Sequence, residues 1–233
     1  GCVYFAREML ATREQDFVRK VAVVSGSGNV ALYAIRKLQN MGAKVVACSD
    51  SDGAIYDEKG LDFQALRLIK EIERERLSMY PSIHSRADYR PGKSVWDIPC
   101  QLAFPCATQN ELDGDDARTL LGNGCKLVCE GANMPCTPEA IEAFAEAGIL
   151  FGPAKAANAG GVAVSALEMQ QNAGWQKWTF EQVDQQLQEI MMQIHRSCLF
   201  YANRYGRPGD YVHGANTGGF LRVADAMREQ GLV

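Results

Sequence analysis

Lys20-Val-Ala-Val-Val-Ser-Gly-Ser-Gly-Asn-Val-Ala31 is a short apolar run that breaks into glycine. Val21, Ala22, Val23 and Val24 read as a buried strand, too short and too β-branched for a helix. Gly26, Gly28 and Ala31 follow at the spacing G-x-G-x-x-A, and a helical stretch continues to about Asn40. Each small residue has a mechanical task. Gly26 lets the chain turn sharply, Gly28 lets backbone approach a pyrophosphate, and Ala31 lets the helix pack closely on the strand. The helix N-terminus adds free N–H groups and a partial positive charge. Residues 43–49 form a second strand, and Asp50 follows it, 22 residues beyond Gly28, near the offset of a ribose-binding carboxylate. Strand, glycine turn, helix, strand and acid together predict a dinucleotide site rather than an ordinary βα turn.

The 233 residues suffice for one large domain or a domain with an appendage. With 47% hydrophobic and 22% charged residues the composition is that of a globular protein. A net charge of −4 gives no reason to expect nucleic acid or an anionic membrane as partner. No apolar run approaches the roughly 18 residues of a spanning helix, and no signal-peptide pattern is present. The eight cysteines form no C-x-x-C pair, and only Cys125 and Cys129 lie close together, with no histidine near them. They read as buried free thiols in a reducing, cytoplasmic setting, with no metal site.

Residues 1–19 fit a helix with apolar Val3, Tyr4, Phe5, Met9 and Leu10. It starts with neither a cap nor Met, so the chain is expected to be part of a longer protein. Residues 20–205 are expected to form the dinucleotide-binding domain, and 206–233 a helical segment leading away from it. After a turn at Asp52-Gly53 and a short extended piece, residues 61–79 predict one helix ended by Pro81, and 80–95 predict a loop. Strands are expected at 101–104, 126–129 and 149–151. Each ends in polar residues: Pro105-Cys-Ala-Thr-Gln-Asn-Glu111, Glu130-Gly-Ala-Asn-Met-Pro135, and Gly152-Pro153 before Lys155-Ala-Ala-Asn158. Ligands of open α/β sheets bind at that edge. Helices are expected at 115–121, from Pro138 with Thr137 as cap, and at 164–172, 179–205 and 216–229. Gly160-Gly161 allows close backbone approach, and Asn158 offers both donor and acceptor to a carboxamide such as that of nicotinamide. Ser165 falls in the first turn of its predicted helix, and His195 reads as packing.

Assembled, these segments resemble the cofactor-binding domain of hexameric glutamate dehydrogenases, within the Glu/Leu/Phe/Val dehydrogenase family. The resemblance runs the whole length. SGSGNVA at 25–31, PCATQNE at 105–111, EGANMP at 130–135, KAANAGGVAVSALEMQQN at 155–172 and GANTGGFLRVADAM at 214–227 carry it. It implies a doubly wound α/β sheet of Rossmann type that follows an N-terminal substrate domain, to which residues 206–233 return. Cofactor contacts are implied at Gly26, Ser27, Gly28, Asn29 and Val30 around the pyrophosphate and ribose, and at Asp50 and Ser51. Ala107, Thr108 and Asn133 are implied near the nicotinamide riboside, with Asn158 near the carboxamide. Ser165, with Val162 beside it, corresponds to the residue that hydrogen-bonds the side-chain carboxylate of glutamate.

The implied reaction is interconversion of L-glutamate with 2-oxoglutarate and ammonia by hydride transfer. It needs a lysine of lowered pKa and a proton-shuttling acid, which the family supplies from the N-terminal domain. No replacement stands in this chain, which is expected to be inactive alone. Asp50 by the simple rule favours NAD. Ser49-Asp50-Ser51, with Lys70, Arg74 and Arg76 on the following helix, tips the expectation to NADP, with NAD as the alternative. Two further readings remain: a non-catalytic dinucleotide-binding module, with no need of Asn158 or Ser165, and a branched-chain or aromatic amino acid dehydrogenase, which calls for an apolar residue at 165. The parent protein is expected to be a homohexamer.

Overall fold

In a computed structural model, described here over residues 1–231, the chain opens with helix α1 (Cys2–Ala11) and enters β1 (Val21–Val24). Helix α2 (Asn29–Asn40), β2 (Lys44–Ser49) and β3 (Gly53–Tyr56) follow. Then come α3 (Phe63–Arg67), α4 (Tyr80–Ile83) and β4 (Asp88–Pro91). The second half alternates as β5 (Leu102–Phe104), α5 (Gly114–Gly122), β6 (Leu127–Cys129), α6 (Pro138–Glu146) and β7 (Leu150–Gly152). Four helices close it: α7 (Ala154–Ala157), α8 (Gly160–Ala173), α9 (Phe180–Arg204) and α10 (Tyr211–Gln230).

Among the described residues the strands form one sheet in the order β4-β3-β2-β1-β5-β6-β7. From β2 to β7 all neighbours are parallel, whereas β3 and β4 pair antiparallel. The chain leaves β1 to one side toward β2 and returns on the other at β5, which makes the β1/β5 boundary the topological switch point of a doubly wound sheet. Alternation along the strands divides the core. Ala22, Val24, Leu102, Phe104, Leu127 and Cys129 pack with Phe5, Met9, Ile35 and Leu38, while Val23, Ala103, Val128 and Phe151 pack with Trp96, Leu120 and Phe144. Helices cover both faces of the parallel half, which is why its strands read as unbroken apolar runs.

Four expectations need correction. The opening helix stops at Ala11, and turns occupy the rest of 1–19. The helix expected at 61–79 is broken: α3 passes into a wide π turn over Leu68–Ile72, Arg74 takes φ +58°, and a short 3₁₀ turn resumes at Leu77–Met79. A tertiary bond holds the break: Leu77 donates its N–H to the Asp50 carboxylate at 2.9 Å, drawing the chain onto the end of β2. Within the segment Lys70 Nζ donates to the Glu75 carbonyl at 2.7 Å. Pro81 therefore ends nothing; it lies in the first turn of α4. The loop expected at 80–95 holds α4 and the edge strand β4. Finally, α8 begins at Gly160 and α10 at Tyr211, each earlier than the apolar period suggests. Asp210 caps α10 by accepting from His213 N–H at 2.8 Å. Thr137 and Pro138 do start α6 as read.

All eight cysteines are buried and free. His195 is packing: 4% exposed, it lies edge-on to Phe5, with Nε2 3.0 Å from the Tyr211 hydroxyl. Burial lowers its pKa from the usual 6.5 to about 4, with Glu8 opposing and Arg196 reinforcing the shift. Below pH 6.5 the unfolded chain takes up a proton that the folded chain refuses. Stability from neutral His195 is thus complete above pH 6.5 and fades as pH falls toward 4. Between pH 7 and 5 this one group accounts for a loss of about 2 kcal/mol. Urea unfolding of His195→Gln is expected to show a pH slope flatter by about that amount; an unchanged slope contradicts the assignment.

Candidate functional site

The C-terminal ends of β1, β2 and β5 are laced together by serines. Gly26 N–H donates to Ser49 Oγ at 3.1 Å, and Cys106 N–H donates to Ser25 Oγ at 2.8 Å. Gly26 has φ +85°, and a Cβ built on it falls 2.9 Å from Ala107 Cα, so no other residue fits the turn. Gly28 differs. Its backbone is extended, it heads α2 with no side-chain cap, and a Cβ built there meets no atom within 4 Å. The uncapped N–H groups of the 12-residue α2 face a cleft of about 750 Å³. Ala31 is fully buried against the sheet, as its small size requires. Gly26, Ser27, Gly28, Asn29, Val30, Asp50, Ser51, Ala107 and Thr108 all line this cleft.

Asp50 is turned into the protein, its side chain 5% exposed. One carboxylate oxygen accepts from Asp52 N–H at 3.0 Å, the other from Leu77 N–H at 2.9 Å, and Lys70 Nζ lies 3.9 Å away. The break at 73–76 brings Arg76 back to the cleft. It donates to Ser51 Oγ at 2.7 Å and pairs with Asp52 at 3.2 Å. Of the three cations offered by the sequence, Arg76 and Lys70 reach this cleft, and Arg74 is not among the residues lining it. Lys70 therefore faces the acid where the ribose-binding carboxylate was expected, while Arg76 and the Ser51 hydroxyl, both also bonded to Asp52, stand at the cleft beside it.

Two glutamates shape the remaining loops. One Glu111 oxygen accepts from the N–H groups of Ala107 at 2.9 Å and Thr108 at 3.3 Å. Burial raises its pKa against those bonds. Glu130, 3% exposed, accepts from Cys136 N–H at 3.1 Å and Ala154 N–H at 2.5 Å, and burial raises its pKa too. Asn158 Nδ2 donates to the Ala132 carbonyl at 3.3 Å, which leaves Oδ1 as an acceptor. Val30, Gly131, Asn158 and Gly161 line a second cleft of about 410 Å³ that continues along α2 past Tyr33.

The structure does not gather every candidate. Asn133, Val162 and Ser165 are exposed and line neither cleft. Ser165 stands in the second turn of α8, not the first, one turn from Val162. A Cβ on Gly160 falls 2.5 Å from Gly1 Cα, while Gly161 faces open space, so only Gly160 marks a close approach. Lys155 contacts Asn216 Oδ1 and ties α7 to α10. The inward roles of Ser25 and Glu130 escaped the sequence reading, and Ser49, read there as part of the phosphate turn, instead accepts from Gly26 N–H; the one signal for all three is a polar residue directly after, or closing, a buried strand. Among the described residues no three His, Cys, Asp or Glu side chains converge as a metal site.

The profile of the Glutamate/Leucine/Phenylalanine/Valine dehydrogenase family matches residues 1–231. The NADP-specific glutamate dehydrogenase of Helicobacter pylori is 51% identical over 239 residues, covering 100% of this chain and 53% of that protein. The NAD(P)-specific glutamate dehydrogenase of Xylanibacter ruminicola is 46% identical over 235 residues, with 100% and 53% covered. The solved structure of Plasmodium falciparum glutamate dehydrogenase matches with a TM-score of 0.96 at 46% identity, covering 100% of this chain and 50% of that one. The chain spans about half the length of the curated relatives it matches. With its switch-point cleft, its glycine turn and these likenesses along its length, the chain belongs to the Glutamate/Leucine/Phenylalanine/Valine dehydrogenase family.

Proposed function

We propose that the chain is the NADP-binding half of a glutamate dehydrogenase, the whole protein interconverting L-glutamate with 2-oxoglutarate and ammonia. The observation that carries the cofactor choice is Arg76 on Ser51 beside an inward-turned Asp50. A 2′-phosphate there meets a hydroxyl and cations, and the carboxylate it would otherwise oppose is already held by two N–H groups and faced by Lys70. NAD is the second reading, favoured by the position of Asp50 after β2 and by the NAD(P)-specific relative.

When bound, the cofactor supplies the hydride acceptor or donor. The α2 N–H groups and Asn29 hold the pyrophosphate and ribose, and Ser27, Gly28 and Val30 shape the approach. Ala107 and Thr108 at the cleft, and Asn133 on the loop after β6, are near the nicotinamide riboside, and Asn158 Oδ1 accepts from the carboxamide. Ser165, with Val162 beside it, takes the side-chain carboxylate of glutamate; a hydroxyl at that position argues against an apolar amino acid as substrate. The lysine base and proton-shuttling acid come from the other half of the protein. Residues 20–205 form the dinucleotide-binding domain, and 206–233 return toward that other half. Exposed Phe220, Val223 and Met227, on one face of α10, support such a docking, while residues 232–233 lie outside the described structure. A cytoplasmic homohexamer completes the reading, the eight free thiols supporting a reducing compartment.

The test is a titration of this chain with NADP⁺ and NAD⁺ near neutral pH. NADP⁺ is expected to bind at least about tenfold tighter, a difference of roughly 1.4 kcal/mol. Glutamate oxidation is expected only when the upstream half is supplied, and Ser165→Ala in that completed enzyme loses about 1–3 kcal/mol of glutamate recognition. Tighter NAD⁺ binding overturns the cofactor choice. Turnover by the chain alone, abolished by Ser165→Ala, overturns the placement of base and acid elsewhere.

A further inference from the structure

We propose that Glu130 is the positioning residue for the loops assigned to the nicotinamide side, its buried carboxylate locking the loop that bears Asn133 to the turn that bears Asn158. This inference rests on the dinucleotide reading above and goes beyond it. Glu130 lines neither cleft, so it acts through its neighbours.

The bonds form a closed circuit. One carboxylate oxygen accepts from Cys136 N–H at 3.1 Å, which fastens the far end of the loop 130–136. The other accepts from Ala154 N–H at 2.5 Å, the first residue of α7, whose last turn is capped by Asn158. Asn158 Nδ2 then donates to the carbonyl of Ala132, two residues beyond Glu130, at 3.3 Å. Gly131 and Ala132 donate their N–H groups to the Pro105 carbonyl at 2.9 and 3.0 Å, extending the lock to the loop after β5. Three strand-end loops are thereby held in one arrangement, with the adenosine-side cluster of Asp50, Ser51 and Arg76 outside the circuit.

The chemistry demands a carboxylate. Both N–H groups need acceptors, and a carboxylate has two equivalent oxygens, each able to accept. An amide of the same shape turns an NH₂ toward one of the donors. Keeping this acid costs desolvation, since it is buried and no cation pairs with it among the described residues. A helix-capping serine or threonine reaches one donor and spans only one loop, whereas Glu130 bridges two.

The experiment uses this chain and two probes, NADP⁺ and adenosine 2′,5′-bisphosphate, which carries the phosphate and adenine but no nicotinamide. Glu130→Gln is expected to weaken NADP⁺ about tenfold and the bisphosphate less than about twofold. Asn158→Ala is expected to weaken NADP⁺ alone, and adding it to Glu130→Gln to cost less than about twofold more, because both changes remove one arrangement. Should Glu130→Gln fail to fold, Ala154→Pro cuts the same bond from the donor side. Proline is tolerated at a first helical position, and Pro153 already has the extended φ −69° and ψ 144° that a residue before proline adopts. Its losses must show the same asymmetry. Equal losses for both probes, or a double variant whose losses add, overturns the positioning role. Failure of the unaltered chain to bind either probe overturns the dinucleotide reading, and this inference with it.

Discussion

Gly28→Val is expected to weaken NADP⁺ binding by at least about 100-fold while the chain stays folded. The expectation rests on a contrast between two glycines two positions apart in the motif. At Gly28 the backbone is extended, φ −82° and ψ −174°, and the space a side chain would take is open to the cleft. Valine there strains nothing in the protein and occupies the volume through which backbone meets pyrophosphate. The cost to the fold is that of a poor helix N-cap, about 1 kcal/mol. Losing close approach and the charge-assisted bonds from α2 removes upward of about 3 kcal/mol of binding, which is the 100-fold. Gly26→Ala is the comparison: φ +85° and a Cβ 2.9 Å from Ala107 Cα make it a folding defect first. Calorimetric titration and thermal unfolding on both variants separate the two. Binding retained in a folded Gly28→Val places the pyrophosphate elsewhere.

Arg76→Ala is expected to weaken NADP⁺ about tenfold, leave NAD⁺ within about twofold, and thereby remove most of the preference. A charge-assisted bond is worth about 1.5–3 kcal/mol, but the Arg76 side chain is 55% exposed, so the lower end applies. Asp52, at 3.2 Å, holds the guanidinium over Ser51 in advance, so little side-chain entropy is lost when a phosphate arrives. Ser51→Ala is expected to act in the same direction and less. Raising salt is expected to shrink the Arg76 effect, because an exposed charge is screened. If Arg76→Ala weakens both cofactors equally, its role is to brace the 73–77 turn and not to read a phosphate.

The glycine turn, its flanking strand and helix, and the parallel strands that follow were legible because each is a local pattern. Four β-branched or small apolar residues before G-x-G-x-x-A admit one conformation, and a strand buried on both faces needs nothing beyond its own apolar run. Thr137-Pro138 states a helix start in two residues. The placement of Gly26 to Val30, Ala107 and Thr108 along one cleft follows from chain order alone, since parallel strands bring their C-terminal ends to one edge.

What the sequence by itself determined, then, is the alternation of strands and helices around the glycine turn and the strand-end edge at which the polar clusters gather. Only the tertiary structure decided how Asp50 faces. From sequence it is a ribose acid; in the fold, the N–H groups of Asp52 and Leu77 claim both its oxygens and break the helix expected at 61–79, which carries Arg76 to Ser51. The antiparallel edge β3-β4 and the inward carboxylate of Glu130 were decided there as well. The physical reason is common to all three. Helical and strand periods report which side of an element is apolar, whereas a polar group's partner is chosen by whichever unpaired backbone N–H the assembled fold brings within about 3 Å, and no local pattern encodes that distance.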